Sequence, residues 1–354
     1  MTEASALAPT QAATGVTIGG CRVLAGSSSW ADRSLVRDGT FYPSRSLSAA
    51  QRLAYYASRL PLAEVATTYR FPPTPDVARR WVATTPPGFT LDLRAWSLLS
   101  GAPTWPESLW PDLQGYVKPP SRGGTKLYRH QLAGDVVDEC WERFCHALRP
   151  LARAGRLGTV VVRFPGWFRP RPEAWEELAT LPARLGEFRL AVELSNERWF
   201  HGDACERTLG FLEQLGLCLV CSDSLGYRRP VVAATGDVAF VRFTGRRQHA
   251  WERADGERGG ERPDGNGAAA GGKGDAKGEG ERGAAAEGGA EGGLHLERAA
   301  WWSYRYSEAE LAAWVPAVRD LASCTSQVHL ILDNCWRADA VDNAGRLLEL
   351  LAGA

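Results

Sequence analysis

The sequence predicts a single (β/α)8 barrel of the TIM type, in a chain of 354 residues. Eight short runs rich in β-branched and apolar residues recur along it. Most are apolar almost throughout, as parallel strands covered on both faces must be. Helical patterns separate most of these runs, and such alternation favours parallel pairing with right-handed crossovers. Eight parallel strands favour closure into a barrel, a fold that commonly occupies about 250 residues as one domain.

The predicted strands are residues 22–26, 63–67, 90–94, 159–164, 189–194, 217–222, 238–243 and 328–332. The predicted helices are residues 47–60, 74–84, 135–154, 173–185, 203–215, 307–322 and 339–351. Pro75 suits a first helical turn, where a missing N–H costs nothing. Ser307 and Glu310 form a capping-box pattern at the start of the sixth helix. The link between the sixth and seventh strands is short and holds Pro230.

Two segments fall outside this pattern. Residues 1–18 are expected to form a disordered tail, and residues 19–354 the barrel, interrupted by a low-complexity insertion at residues 253–297. Fifteen of the 38 glycines lie between Gly256 and Gly293, among Ala, Glu, Arg, Asp and Lys. Such a composition buries too little apolar surface to offset its ordering entropy, so the insertion is predicted to be a disordered surface loop. Long loop insertions cost little stability, because closure entropy grows slowly with length.

Composition narrows the classes of function. The formal net charge is zero, with 41 basic and 41 acidic residues, so no overall field attracts nucleic acid or membrane. No run approaches the ~20 apolar residues that cross a bilayer, and the first residues lack the apolar core of a signal peptide. The eight cysteines suit a reducing compartment. Cys218 and Cys221 point to opposite faces of a predicted strand, which favours buried apolar cysteines over a metal or redox pair. These features predict a cytoplasmic protein.

The candidate functional residues lie at the carboxyl ends of the strands, where (β/α)8 barrels place their active sites. Arginines and carboxylates alternate there, framed by aromatic and hydroxyl side chains. The catalytic candidates are Glu64, Glu193 and Asp223. The ligand-binding candidates are Ser28, Trp30, Thr68, Tyr69, Arg94, Arg163, Trp199, Arg242 and Asn334.

Arg94, Arg163 and Arg242 are predicted to hold the phosphate or carboxylate of a small anionic ligand through bidentate hydrogen bonds. The aromatic side chains would suit a nucleotide, a base or a sugar. An alternative is a buried ion-pair network that holds the top of the barrel together, since charges in apolar runs are costly unless paired or solvated.

Glu64 and Glu193 are the candidates for general acid and base, which would make an enzyme of this kind a hydrolase or a lyase. The alternative is that each carboxylate neutralises a neighbouring arginine. A glycosidase would require a defined separation of the two carboxylates, which the sequence does not supply. No motif names a cofactor: a Walker-type loop, GxGxxG, a nucleophile elbow and HExxH are all missing from the sequence. None of the six histidines ends a predicted strand, which argues against a zinc site. The carboxylates Glu64, Glu193, Asp223 and Asp333 could hold Mg²⁺ or Mn²⁺, but the neighbouring arginines argue against it, so no metal site is predicted.

Several motifs together resemble the domain-of-unknown-function 72 (YecE-like) family. They are residues 26–30 (GSSSW), 41–43 (FYP), 52–57 (RLAYYA), 84–89 (TTPPGF), 163–165 (RFP), 191–193 (AVE), 198–200 (RWF), 306–307 (YS), 334–335 (NC), 340–341 (AV) and 343–344 (NA). The resemblance covers roughly residues 23–351 apart from the insertion, and it implies a (β/α)8 barrel without a settled activity.

The sequence departs from that family's pattern at four positions. Ala66 stands where the family has an amide or acid after the second strand, and Arg94 replaces a lysine, which keeps the charge but loses a titratable base. Arg163 replaces a glutamine and Asp333 an asparagine. The departures leave three hypotheses open: an enzyme acting on a small anionic substrate, a nucleic-acid binder or endonuclease-like barrel, and a non-catalytic sensor or inactive paralogue.

Overall fold

A computed structural model describes residues 13–117, 126–224, 230–246 and 303–353. The predicted insertion, residues 253–297, and the first twelve residues of the predicted tail lie outside these ranges. No helix within them is long and apolar enough to cross a bilayer.

Eight parallel strands form a closed barrel, as the sequence predicts. After a short first strand, β1 (Val16–Ile18), the barrel strands are β2 (Cys21–Ser27), β3 (Leu62–Val65), β4 (Thr90–Arg94), β5 (Leu157–Phe164), β6 (Arg189–Leu194), β7 (Cys218–Ser224), β8 (Val238–Gly245) and β9 (Gln327–Leu332). Each pairs with the next in parallel, and β9 returns to β2 over six residue pairs, from Arg22–Gln327 to Ser27–Leu332. Closure leaves no barrel strand with an unpaired edge.

The helices cover the outside of the barrel. They are α1 (Arg33–Asp38), α2 (Ala49–Ala57), α3 (Pro75–Thr84), α4 (Pro111–Gln114), α5 (Gly134–Arg153), α6 (Pro172–Leu185), α7 (Ala204–Gln214), α8 (Glu308–Ala312), α9 (Val315–Cys324) and α10 (Asp339–Gly353). Pro75 lies in the first turn of α3, and the predicted capping box joins Ser307 to Glu310 at the start of α8. Between β7 and β8, the described residues contain no helix.

Two elements differ from the prediction. The helix expected at residues 307–322 is divided into α8 and α9, because Trp314 caps a new helix and Pro316 lies in its first turn. At the amino terminus, Val16–Ile18 pairs antiparallel with Cys21–Val23 through a turn at Gly19 and Gly20, both of positive φ. The segment predicted as a tail therefore ends in a hairpin, since two adjacent glycines allow the tight reversal.

The barrel interior is layered. A compact apolar cluster fills its middle: Leu24, Leu62, Val161, Ala191, Cys218, Val220, Val238, Phe240 and Ile331. Nearer the amino-terminal ends of the strands, His329 Nδ1 lies 3.0 Å from both carboxylate oxygens of Asp92, and neither side chain is exposed. Cys218 belongs to the interior cluster and Cys221 to the layer between strands and helices, so the two thiols face opposite sides as predicted.

Candidate functional site

The charged residues at the top of the barrel follow from strand periodicity. Successive strand residues alternate between faces, so the residue two places after an interior side chain also points inward. Leu62 and Phe240 point into the barrel, so Glu64 and Arg242, two residues later on the same strands, point into it as well. The same step leads from Val161 to Arg163, from Ala191 to Glu193 and from Ile331 to Asp333. Five strands thus bring a charged side chain to the mouth of the barrel, which is the end where the strands' carboxyl ends lie, above the apolar cluster.

Glu64 and Arg242 form the centre of this cluster. Arg242 donates two hydrogen bonds to Glu64, from Nη1 to Oε2 at 2.8 Å and from Nη2 to Oε1 at 2.6 Å, and neither side chain is exposed. Arg94 Nε donates a third, to Oε2 at 2.9 Å. Burial alone would raise the pKa of Glu64, but the charges and hydrogen bonds of Arg242 and Arg94 outweigh it and lower that pKa to about 2. Glu64 is therefore ionised, and both of its carboxylate oxygens already accept hydrogen bonds from these arginines.

Asp333 closes the cluster on the side of β9. Arg94 Nη2 donates to its Oδ2 at 2.8 Å, and Arg242 Nη1 lies 3.6 Å from the same atom. The hydroxyl of Ser28 donates to Oδ1 of Asp333. The thiol of Cys335 lies 3.2 Å from that hydroxyl, and burial followed by the charge of Asp333 raises the pKa of this thiol to about 12. A neutral thiol and a hydroxyl thus line one edge of the cluster.

Glu193 and Arg163 form the outer part. Arg163 Nε lies 3.1 Å from Oε1 of Glu193, and Arg242 Nε lies 3.0 Å from its Oε2. The latter contact is close but poorly aligned, so neither Arg242 Nε nor Glu193 Oε2 makes a hydrogen bond with a described residue. Tyr69 lies beside them: burial raises the pKa of its hydroxyl, with opposing effects from Arg163 and Glu193. The phenol is therefore a neutral donor at physiological pH.

The three arginines differ in accessibility. The side chain of Arg242 is fully buried and that of Arg94 is 10% exposed, whereas that of Arg163 is 34% exposed. Within the described ranges, Arg163 forms one ion pair, with Glu193, and its Nη1 and Nη2 donate no hydrogen bond. Three arginines face three carboxylates (Glu64, Glu193 and Asp333), so the cluster is balanced in charge when all six are ionised. The arginines and carboxylates predicted at the strand ends thus form largely an ion-pair network, in which one arginine has unused donors.

Asp223 is not part of this network. Arg242 points inward, its neighbour in register is Ser222, and Asp223 therefore points out of the barrel. There it accepts two hydrogen bonds from Arg246, at 2.9 and 2.7 Å, and one from the indole of Trp314 at 2.9 Å. The structure thus places this catalytic candidate between β7 and the helix layer.

Asn334 and Trp199 also lie outside the mouth. Asn334 follows the inward Asp333, so it faces the helices, where its amide donates to Tyr304 O at 2.7 Å and to Asn343 Oδ1 at 3.0 Å. Trp199 is fully buried, stacks on Phe168 and donates its indole N–H to the carbonyl of that residue at 2.8 Å. Both were predicted to bind a ligand, and in this structure both pack the barrel against its outer layer.

Trp30 and Thr68 hold loops in place near the mouth. Trp30 is 9% exposed, contacts Trp81 edge to face, and its carbonyl accepts a hydrogen bond from Tyr42. Thr68 donates its single hydroxyl towards two carbonyls, Val65 O at 2.7 Å and Arg94 O at 2.6 Å, which ties the turn after β3 to the end of β4. Their predicted contacts with a ligand remain predictions.

Asp333 is the network residue that the candidate list lacks. The sequence carries a signal for it, because His329, Ile331 and Asp333 alternate in one phase while Asn334 is in the other. No group of three or more His, Cys, Asp or Glu side chains in the described ranges is arranged to hold a metal ion.

Fold and site define a class: a (β/α)8-barrel protein with an arginine–carboxylate network at the carboxyl ends of its strands. Within that class, the chain belongs to the family described as "Protein of unknown function DUF72", whose model matches residues 24–354. The family predicted from sequence motifs is thereby confirmed.

Individual relatives agree over nearly the whole chain. The UPF0759 protein YunF of Bacillus subtilis (strain 168) is 24% identical over 332 residues, which cover 92% of this chain and 93% of that protein. A crystal structure of a DUF72 family protein from Enterococcus faecalis V583 is similar with a TM-score of 0.64 at 20% identity, over 93% of this chain and 95% of that one. Another, from Thermotoga maritima MSB8, has a TM-score of 0.62 at 22% identity, over 93% and 98%. At these identities the structural likeness establishes the fold.

Proposed function

We propose that this protein binds a small ligand bearing a phosphate or a carboxylate at the mouth of the barrel, with Arg163 as the residue that contacts the anion. One observation carries the proposal: Arg163 is the exposed arginine of the network, and its two terminal nitrogens are unused among the described residues. A guanidinium with two free donors matches an oxyanion in bidentate fashion.

The other two arginines have a different role in this proposal. Arg94 and Arg242 already bind Glu64, Glu193 and Asp333, so they hold the network rigid and do not clamp the ligand. Tyr69, whose neutral hydroxyl interacts with Ser100 and feels the charges of Arg163 and Glu193, is a second candidate donor for the ligand. Preorganised donors at a partly dry site bind an anion better than donors that must first be ordered.

If the ligand is also processed, Glu193 is the candidate for proton transfer. Its Oε2 is buried and lacks an aligned hydrogen bond, whereas Glu64 is held ionised by two arginines with a pKa of about 2. A carboxylate with that pKa is a poor general acid or base near neutral pH. Because Glu64 is held by two arginines and is not available for proton transfer, a second candidate function is a sensor that binds the anion without turnover.

Binding can be tested by thermal shift and calorimetry with inorganic phosphate and a panel of phosphorylated and carboxylated metabolites. Wild type should be stabilised by at least one of them, and Arg163→Ala should lose that effect. Arg184→Ala is the matched control, because Arg184 is 35% exposed and paired to Asp138 on the helical surface. Equal ligand responses in wild type and Arg163→Ala would refute the proposal.

Turnover of the ligands that bind separates the two candidates. An enzyme should lose most of its rate in Glu193→Gln while still binding the anion through Arg163. Stabilisation of the wild type without turnover would identify a sensor. Equal rates in wild type and Glu193→Gln would exclude Glu193 as the proton-transfer group.

A further inference from the structure

Exposed aromatic side chains are concentrated at one part of the barrel's upper surface. The described residues expose five large aromatic rings: Phe71 (55%), Trp105 (41%), Tyr116 (63%), Tyr128 (36%) and Trp167 (58%). All five lie in loops that follow the carboxyl ends of three consecutive strands, β3, β4 and β5. Exposed apolar surface gathered in one place marks an interaction site more often than scattered single residues do.

These rings are exposed although their backbones are fixed. Trp167 lies in a turn closed by Phe168 N–H to Pro165 O at 2.9 Å, and the next ring, Phe168, is stacked inward on Phe164. The carbonyl of Trp105 accepts hydrogen bonds from both the backbone and the hydroxyl of Ser108. The rings are therefore presented to solvent by ordered loops, which lowers the entropy cost of stacking a ligand on them.

The same loops carry unpaired positive charge. Arg70 follows β3, Lys126 precedes α5, and Arg169 and Arg171 follow β5. None of the four forms an ion pair with a described residue, and the loops 66–74 and 165–171 contain no acidic residue. Lys126 lies over the ring of Trp105, and its pKa is lowered by burial and by the nearby charge of Arg70, with Glu107 acting in the opposite direction. A chain of zero net charge thus has a locally basic surface.

We propose that this aromatic and basic surface, formed by Phe71, Trp105, Trp167, Arg70, Lys126 and Arg169, binds single-stranded nucleic acid. Exposed rings stack on unpaired bases, and the cations of the same loops contact the phosphates, which is the chemistry of sequence-tolerant single-strand binding. A duplex keeps its bases stacked internally and offers these rings nothing to stack on. A protein partner would not need unpaired cations in the same loops as the rings. The surface does not include Arg163, so this proposal goes beyond the anion site and is separable from it.

The test is fluorescence anisotropy of labelled 20-nucleotide oligo(dT) and oligo(U) with the full chain at several salt concentrations. Wild type should bind both, and a duplex of the same length much more weakly. With the three cations of this surface on phosphates, the logarithm of the binding constant should fall with a slope of about −2 against the logarithm of the salt concentration.

Trp167→Ala and Phe71→Ala should each weaken binding roughly 5- to 100-fold, as the loss of one stacked base does, while Trp167→Phe should keep most of it. Arg169→Ala should reduce the salt slope by about 0.7. Arg22→Ala is the control, because Arg22 is an exposed arginine at the amino-terminal end of β2, at the other end of the barrel from the proposed surface. These side chains are exposed, so the melting temperatures of the variants should match that of wild type.

Two outcomes would overturn the proposal. Alanine at Trp167 and Phe71 could leave affinity for the single strands unchanged, or duplex could bind as tightly as single strand; either would indicate a generic polyanion surface. Failure of this proposal would leave phosphate binding by Arg163 untouched, because Trp167→Ala should not change the response to inorganic phosphate.

Discussion

Arg242 and Glu64 are joined by two hydrogen bonds of 2.8 and 2.6 Å inside the barrel, with both side chains fully buried. The pair links β8 to β3, strands that are not neighbours in the sheet. Desolvating both groups is costly, and the cost is offset by their mutual hydrogen bonds and by Arg94 and Glu193. The network therefore cross-links the upper rim of the barrel and fixes the position of Arg163 through Glu193.

Glu64→Gln should destabilise the protein by about 3–5 kcal/mol, because it leaves the buried cluster with three arginines against two carboxylates, Glu193 and Asp333. Urea unfolding followed by circular dichroism would measure the loss. Asp76→Asn is the control: Asp76 is paired to Arg79 on the surface of α3, and its loss should change the free energy of unfolding little. A Glu64→Gln variant as stable as Asp76→Asn would contradict the buried network.

The wild-type protein should lose stability as the pH falls from about 5 towards about 2. The pKa of Glu64 is about 2 in the folded state and 4.5 ordinarily, so the unfolded state binds the proton first and stability drops between these values. The contribution is on the order of 3 kcal/mol. Unfolding free energies measured across this range should show the slope, with net proton uptake on unfolding at pH 3.5. No proton uptake at that pH would exclude a depressed carboxyl pKa.

Asp223→Asn should destabilise the protein without changing its response to a ligand. Asp223 binds Arg246 and the indole of Trp314 outside the barrel, and removing its charge weakens charge-assisted hydrogen bonds by about 1–3 kcal/mol. The measurement is the ligand-induced rise in melting temperature, compared with Arg163→Ala. If Asp223→Asn lost as much of the ligand response as Arg163→Ala, the conclusion that Asp223 lies outside the ligand site would be wrong.

Gly26→Ala should weaken the barrel at the β2–β3 pairing. A Cβ at Gly26 would lie 1.7 Å from the carbonyl oxygen of Leu62, so the strands must separate, at a cost of about 1–3 kcal/mol or more. Gly210→Ala is the control within α7, where a Cβ meets nothing within 4 Å and should stabilise the helix by about 0.5–1 kcal/mol. Equal effects of the two substitutions would contradict this close approach.

The strands were predictable because both of their faces are buried, and the apolar runs match all eight. The site was predictable in part, because strand ends gather at one mouth. Which residue of a strand end faces inward depends on its phase, and Asp223 and Asn334 are in the outward phase while Ser222 and Asp333 are inward. That phase can be read from the sequence. The pairing of Arg94 and Arg242 with carboxylates depends on three-dimensional distances and could not be read from it.

The most direct test of the central claim is a crystal structure of the protein soaked in tungstate, with anomalous data collected at a tungsten edge. Tungstate mimics a phosphate and identifies its own position by anomalous scattering. The structure predicts a peak within hydrogen-bond distance of Arg163 Nη1 and Nη2, close to Tyr69, and no such peak in Arg163→Ala. Tungstate bound to the protein at other positions, with none at Arg163, would contradict the proposed anion site.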